Sequence, residues 1–458
     1  MVELRRLLDD GKPIFGTDGV RGVAGSELTA ELALQIGRAA GSHLHGGPVI
    51  VGQDTRRSGS MLSAALQAGF HSAGIDTLDV GVLPSGGISF LTSEGSATMG
   101  AIVSASHNPA DDNGIKLLAA RGTKLPDTVE RDIEDRMRAS GWQRATGSSI
   151  GFRSVDVDGY RRYLDHLAAV SRYSLNGVQI ALDCANGSAY RAAPELFQRL
   201  SADVAVFHAE PNGTNINQGC GATAPEFIAK NAAGRIGLAF DGDADRLIAV
   251  DEDGVVANGD VIMAIVARHL KEQGRLTKDL VVATVMSNLG FRKSMAEAGI
   301  SLVETPVGDR YVMEALIEHK GLLGGEQSGH IIFADLARTG DGLLTAVQLL
   351  NVVAGTGKEL RQLRAEAITE YPQVLVNVRV DRDVDVRDMD DLWNEVEEVE
   401  RELGEEGRVL VRPSGTEPLV RIMVEAPSKE AASGYADRLA AVATTAATNG
   451  RVSEETST

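Results

Sequence analysis

The 458-residue chain holds only two cysteines, Cys184 and Cys220. Two thiols build no disulfide framework, and without a histidine partner pattern they make no zinc site. The expected state is a pair of reduced thiols in a cytoplasmic protein. Aromatic residues are few, at 4%. No run of about eighteen apolar residues occurs, so no membrane span is expected. Met1–Asp10 is charged and lacks an apolar core, so no secretory signal is expected. Positive charge is also short: 45 Lys and Arg against 64 Asp and Glu give a net charge of −19. A chain this acidic does not bind nucleic acid or an anionic membrane by general electrostatics. An anionic ligand would need local clusters of Arg and Lys. What abounds is glycine, with 51 residues, which points to tight turns and close backbone approaches to ligands.

The length exceeds one hydrophobic core and suggests about three or four domains. From Val49 strand-like and helix-like text alternates: a strand at Pro48–Gly52, a helix at Ser60–His71, a strand at Asp76–Val82. The rhythm returns at Val178–Asp183, Ala192–Arg199 and Arg235–Phe240. It returns again at Ile262–Gln273, Leu280–Val285, Leu289–Ala298 and Ser301–Thr305. Such βαβ alternation predicts parallel strands with helical crossovers. After Tyr371 the character changes. Gln373–Val380 carries valine at alternate positions, as a half-buried strand does. Met389–Glu402 is followed by Leu403 and Gly404, and Leu392, Val396, Val399 and Leu403 fall at helical spacing. Strands at Arg408–Val411 and Leu419–Ala426 follow, then a helix Lys429–Ala447 capped by Ser428. The expected class is α/β: three similar α/β domains with mixed, largely parallel sheets (1–155, 156–255, 256–370), then an α+β domain with an antiparallel sheet (371–449). The polar tail 450–458 is expected to be disordered.

The densest chemistry lies in Thr98–Lys116. A small, β-branched apolar run ends abruptly in Ser104-Ala105-Ser106-His107-Asn108-Pro109. This is a buried strand delivering a hydroxyl and an imidazole into a loop that Pro109 keeps from becoming a helix. Ser106 is placed to be a nucleophile or a phosphate carrier.

A second motif, Asp241-Gly242-Asp243-Ala244-Asp245-Arg246, follows the strand at Arg235–Phe240. Three carboxylates at alternate positions can wrap one hard divalent cation, with coordination positions left for a phosphate oxygen, which suits Mg²⁺. The spacing also matches an EF-hand, with Glu252 at the twelfth position. However, Arg246 stands where that loop needs glycine, and the flanks read as strands. A merely solvated acidic loop would leave three aspartates repelling one another.

Arg412-Pro413-Ser414-Gly415-Thr416-Glu417-Pro418, with Arg421, offers guanidinium forks, hydroxyls and turn amides that suit a phosphate; an ordinary turn with surface arginines is the alternative. Gly324-Gly325-Glu326-Gln327-Ser328-Gly329-His330 sets hydrogen-bonding side chains between glycines, as a polyhydroxylated ligand needs. His330 there reads equally as a structural histidine. The opening Phe15–Gly22, with Arg21, and the echo Asp54-Thr55-Arg56-Arg57-Ser58-Gly59 are glycine-bearing turns with basic residues. No strand leads into a dinucleotide fingerprint.

In this order the five motifs resemble the α-D-phosphohexomutase family, over about Ile14 to Glu425. The resemblance implies four domains around a central cleft, with one loop from each domain meeting there. It implies that Ser106 is a phosphoserine, that Asp241, Asp243 and Asp245 hold one Mg²⁺ per chain together with the Ser106 phosphate, and that Glu326 and Ser328 select the sugar. Arg412, Ser414, Gly415, Thr416 and Arg421 would hold the phosphate that is not reacting. His107, Lys116, Arg21 and Arg246 match positions lining the transfer site, with Lys116 the first choice for acid or base and His330 the second. The implied reaction interconverts glucosamine 6-phosphate and glucosamine 1-phosphate through a 1,6-bisphosphate, with glucosamine or glucose 1,6-bisphosphate as activator. Gln327, the segment Pro211–Thr223 and a Glu326 partner for the 2-ammonium favour glucosamine over mannose or glucose phosphates, the alternative within the family. The other expected properties are a small hexosamine phosphate ligand, no nucleic acid or membrane partner, and a monomer or homodimer.

Two rivals from other classes remain. A hydrolase using Ser106 and His107 would lack the GxSxG elbow, and adjacent Ser and His rarely align as nucleophile and base. A non-catalytic sugar-phosphate-binding protein would have lost catalytic residues, yet Ser106, the three aspartates and Lys116 are all present.

Overall fold

The computed structural model describes residues 13–16, 18–139, 144–380, 386–413 and 419–455, with side chains to residue 446. The first sheet comprises β1 (Val20–Val23), β2 (Val49–Gln53), β3 (Thr77–Val82), β4 (Met99–Val103), β5 (Asp112–Ala119) and β6 (Arg153–Val155), ordered β1-β5-β4-β2-β3-β6. Strands β2, β3, β4 and β6 run parallel, while β5 runs antiparallel between β1 and β4. Helices Gly59–Ser72 and Ser85–Glu94 make the parallel crossovers. Helix Ala30–His43, capped by the Thr29 hydroxyl on Leu32 N, packs on Gly59–Ser72 almost backbone to backbone. A Cβ at Gly37 would fall 2.0 Å from Leu66 O, and one at Gly69 would fall 2.2 Å from Leu34 O.

The second sheet, ordered β11-β10-β9-β7-β8, contains β7 (Gln179–Asp183), β8 (Asp203–Phe207), β9 (Ile236–Phe240), β10 (Leu247–Val250) and β11 (Val256–Ala257). Its β7, β8 and β9 are parallel, with β10 and β11 added antiparallel. The third, ordered β13-β12-β14-β15, contains β12 (Leu280–Thr284), β13 (Ser301–Thr305), β14 (Leu323–Gly325) and β15 (Ile331–Phe333). Residues of β9, β10 and β12 are buried throughout, as continuous apolar strands covered on both faces require.

The chain divides into two compact units. One runs to Met286 and takes in Ala298–Ala367; the other joins Ser287–Glu297 to the residues from Ile368 on. The first unit carries the three α/β sheets. Within it the buried carboxylate of Asp341 caps helix Gly342–Thr356 through the N–H groups of Leu343 and Leu344. It also accepts the Tyr163 hydroxyl at 2.9 Å. Burial raises this carboxyl to about 6.

The second unit holds β16 (Gln373–Arg379), β17 (Arg408–Pro413) and β18 (Leu419–Glu425), antiparallel in the order β16-β18-β17. The valine alternation and the helical spacing both hold. Val378 is buried between exposed Asn377 and Arg379, and helix Asp390–Leu403 buries Leu392, Val396, Val399 and Leu403. Helix Leu289–Glu297 lies in sequence between the parallel strands β12 and β13 and belongs to this second compact unit. Its Leu289 N–H bonds the buried Glu425 carboxylate at 2.9 Å, and Asn288 exchanges two bonds with the Tyr371 backbone. The last helix is capped by the Ser428 hydroxyl on Ala431 N. It runs to Glu455 rather than stopping at Ala447, so the tail expected to be disordered is helical through that residue; no proline interrupts it.

Candidate active site

Strand β4 is buried along its length, and its continuation Ser104–Ser106 is buried too. The chain then turns on Asn108 N–Ala105 O and returns as β5. Ser106 adopts a left-handed conformation, φ 50°, uncommon for a residue with a side chain. Ser104 explains part of it: its hydroxyl donates to Asp54 Oδ2 at 2.6 Å and accepts the Ser106 N–H at 2.9 Å. The antiparallel return pairs Ile102 with Lys116, which brings that ammonium back beside the turn.

The aspartate loop fills the connection between β9 and β10, whose Phe240 and Leu247 are partners, so Asp241–Arg246 forms its six residues. Ala244 takes φ 58° within it. Neighbouring segments fix its carbonyls: Ser188 N bonds Gly242 O at 2.8 Å, Ser85 N bonds Asp243 O at 2.9 Å, and Gly342 N bonds Ala244 O at 2.9 Å. One oxygen each of Asp241, Asp243 and Asp245 lies within 4.8 Å of the others, with all three residues buried. Oδ1 of Asp243 and Oδ1 of Asp245 are buried without a hydrogen-bond partner. Orphaned, converging carboxylate oxygens are what a hard cation satisfies, so the residues fit Mg²⁺. Burial together with Asp245 and Asp243 pushes Asp241 well above the usual carboxylate range.

Ser106 Oγ donates to Asp241 Oδ2 at 2.5 Å, while His107 Nδ1 stands 3.4 Å from the same hydroxyl. The serine therefore addresses the acidic loop, not an imidazole base as a hydrolase would need. Burial, Arg246 and Arg21 depress His107 to about 4, so the ring is neutral. Lys116 Nζ lies 3.1 Å from Asp18, 3.3 Å from Asp243 and 3.7 Å from Asp245. Burial opposes its charge, but these three carboxylates hold the ammonium firmly protonated. Arg21 pairs with Asp18 and reaches Asn108 Oδ1 at 3.3 Å. Arg246 stands 3.9 Å from Asp245 Oδ1.

The glycine-rich motif Gly324–His330 forms the tip of the β14–β15 hairpin, where Gly325 pairs with Ile331. It is stitched to the aspartate loop: His330 and Arg246 form a β-bridge, and Leu247 N bonds Gly329 O at 3.0 Å. Glu326 accepts Gly308 N at 2.9 Å and the Ser328 hydroxyl at 3.2 Å. His330 is buried. Burial opposes a charge on it and Asp245, 3.6 Å from Nδ1, favours one. The carboxylate prevails and raises the imidazole to about 9. The Gly340 N–H stands 3.0 Å from Nε2.

In the second unit Arg412 on β17 and Arg421 on β18 are directly opposed. Burial and Arg421 lower the Arg412 guanidinium. Like charges facing across a ladder are unfavourable and invite an anion. Ser414, Gly415 and Thr416 lie outside the described residues.

Asp18 and Ser85, whose hydroxyl donates to Asp243 Oδ2 at 2.8 Å, were not singled out from sequence. Asp18 stands inside the opening turn that drew attention to Arg21. Ser85 carries no local signal, since only the crossover after β3 brings it to Asp243.

Four family descriptions match the chain in order: phosphoglucomutase/phosphomannomutase α/β/α domain I at residues 12–144, domain II at 161–254, domain III at 258–371, and the C-terminal domain at 375–442. The chain belongs to this phosphohexomutase family, a family of enzymes. A phosphoglucosamine mutase of an Exiguobacterium species is 48% identical over 440 residues, covering 93% of this chain and 97% of that protein. Among solved structures, a phosphoglucomutase/phosphomannomutase family protein of Burkholderia thailandensis superposes with a TM-score of 0.81 at 26% identity, covering 95% of this chain and 97% of that one. The Aspergillus fumigatus N-acetylphosphoglucosamine mutase, solved with GlcNAc-6P and magnesium, has the same fold, with a TM-score of 0.69 at 19% identity, covering 97% of this chain and 99% of that one.

Proposed function

We propose that this chain is a phosphoglucosamine mutase, interconverting glucosamine 6-phosphate and glucosamine 1-phosphate with Ser106 as the phosphoryl carrier. The observation that carries the reading is the Ser106 hydroxyl on Asp241, beside the orphaned oxygens of Asp243 and Asp245. The identity to phosphoglucosamine mutases over 93% of the chain supports the amino-sugar substrate. Asp241, Asp243 and Asp245 would hold one Mg²⁺, which supplies positive charge to the phosphoryl oxygens.

The residues of the chain then divide the work. Phosphoryl transfer has a loose transition state with charge on the equatorial oxygens, so positioning and electrostatics dominate. Lys116, Arg21 and Arg246 contribute that charge. Lys116, kept protonated by Asp18, Asp243 and Asp245, is suited to give a proton to the oxygen losing the phosphoryl group. The sugar hydroxyl attacks phosphorus of phosphorylated Ser106, the P–O bond to Ser106 breaks, and a 1,6-bisphosphate results. After reorientation its other phosphate returns a phosphoryl group to Ser106. Glucose or glucosamine 1,6-bisphosphate would recharge a serine that has lost its phosphate. Glu326 and Ser328 are proposed to bind the sugar, with Glu326 accepting from the 2-ammonium. Arg412 and Arg421, with Ser414, Gly415 and Thr416, are proposed to bind phosphate. Both cysteines are buried and free, and no helix among the described residues is long and apolar enough to cross a membrane; a cytoplasmic location is proposed.

The test compares kcat/KM for glucosamine, mannose and glucose phosphates under one set of conditions. Glucosamine phosphate is expected to be best. A higher value for either neutral sugar would overturn the substrate while leaving the family in place.

A further inference from the structure

The turn that carries Ser106 is gripped from two sides by side chains with no part in the chemistry above. The Arg56 side chain is fully buried, and every N–H of its guanidinium is committed. Nε bonds Asp54 Oδ2 at 2.9 Å, and Nη1 bonds the carbonyls of Pro109 and, at 2.9 Å, Asp112. Its Nη2 donates to Ser106 O at 3.0 Å and Asn108 O at 2.8 Å. Asn217, from the chain between β8 and β9, donates Nδ2 to the same two carbonyls, at 2.9 Å to Ser106 O and 3.0 Å to Asn108 O. Donors from two different sheets' segments thus bridge one pair of carbonyls.

The backbone on both sides is unusual. Asn217 has φ 58° and Ser106 has φ 50°; asparagine is among the few non-glycine residues that accept this region readily. Asn217 N bonds Ala185 O at 2.9 Å, which fixes where its amide points. Gly242 closes the remaining side, since a Cβ there would stand 2.4 Å from Ser106 O. Arg56 is not a phosphate ligand, because Asp54 neutralises it and all five of its donors are used.

We propose that Arg56 and Asn217 act as a carbonyl clamp, positioning residues that keep Ser106 Oγ aimed at the aspartate loop throughout the catalytic cycle. The inference rests on the mutase reading above. In each turnover the serine changes from a neutral hydroxyl to a dianionic ester and back. A turn held only through its side chain would be drawn inward in one state and relax in the other. The clamp grips backbone carbonyls, so its hold is the same in both.

The decisive variant is Asn217→Gly, which removes the amide and leaves φ unstrained. Asn217→Asp, which sets a carboxylate against two carbonyls, and Arg56→Lys, which cannot span five acceptors, extend the series. The readouts are kcat and KM for glucosamine 6-phosphate, thermal midpoint, and the ³¹P resonance of phosphoserine after loading with glucose 1,6-bisphosphate. For Asn217→Gly we expect kcat lower by about ten- to a hundredfold, with KM changed less than about twofold. The ³¹P line should broaden or shift while the thermal midpoint stays near that of the wild type. Asn217→Asp should be worse than Asn217→Gly. If Arg56→Lys fails to fold, Asn217→Gly still decides. Wild-type kcat and ³¹P line in Asn217→Gly, or a change in thermal midpoint alone, would overturn the clamp. Failure of the wild-type protein to take up phosphate or turn over would instead defeat the mutase reading, and the clamp's catalytic role with it.

Discussion

The Ser106 hydroxyl and Asp241 Oδ2 lie 2.5 Å apart, at the meeting of a strand end from the first sheet and a hairpin connection from the second. Burial and its aspartate neighbours push Asp241 upward, so without a cation this carboxyl competes for a proton. Asp241→Asn keeps the shape and removes an anionic ligand. The Mg²⁺ concentration giving half-maximal activity should rise by at least about tenfold, measured by titrating Mg²⁺ into the assay. An unchanged requirement would remove Asp241 from the metal site.

Lys116 balances three carboxylates in a nearly closed environment. Lys116→Met should destabilise the metal-free protein by about 3 kcal/mol, because buried anions lose their partner. Mg²⁺ should restore part of that stability without restoring turnover. Denaturant melts with and without Mg²⁺ check this. Full rescue of turnover by the metal would show that the lysine serves charge balance alone.

His107 is held near 4 by burial, Arg246 and Arg21. Its folded value lies below that of the unfolded chain, about 6.5. As pH falls through the interval between them, the unfolded chain takes up a proton that the folded protein refuses, so stability declines from about 6.5 down to about 4. The His107 Cε1–H resonance in metal-free protein should titrate near 4, and His107→Gln should flatten that part of the stability profile. A midpoint near 6.5 would contradict the described environment.

Asp341 caps helix Gly342–Thr356 and accepts the Tyr163 hydroxyl. Asp341→Ala removes the two cap bonds to Leu343 N and Leu344 N and leaves the buried Tyr163 hydroxyl unpaired. The expected loss is about 2 kcal/mol by denaturant unfolding, with Asp341→Asn losing less. Equal stability of the alanine variant would mean the cap is replaced by water.

Much of this was legible because the chemistry is local in sequence. The aspartates sit at alternate positions in one hairpin connection, and the helix around Leu392 and Val396 announces its buried stripe by spacing alone. What stayed hidden depends on the path of the chain. Lys116 is named through the family resemblance; the route that brings it to the turn, the antiparallel return of β5 along β4, was not legible. Arg56 read as a basic residue in a turn, yet it is buried, since Asp54 and four carbonyls satisfy it completely. Helix Leu289–Glu297 carries an ordinary crossover pattern; that Asn288 meets Tyr371 and that Glu425 accepts Leu289 N has no sequence signal. His330 reads in the sequence as acid, base or structural residue alike; its closeness to Asp245 and to the Gly340 N–H depends on the fold.

The most direct test of the whole account is the intact mass of the protein after incubation with glucose 1,6-bisphosphate and Mg²⁺. The account predicts a population heavier by one phosphoryl group, which loses that group to glucosamine phosphate and is absent from a folded Ser106→Ala variant. A wild-type protein that never gains the group, or a Ser106→Ala variant that does, would contradict it.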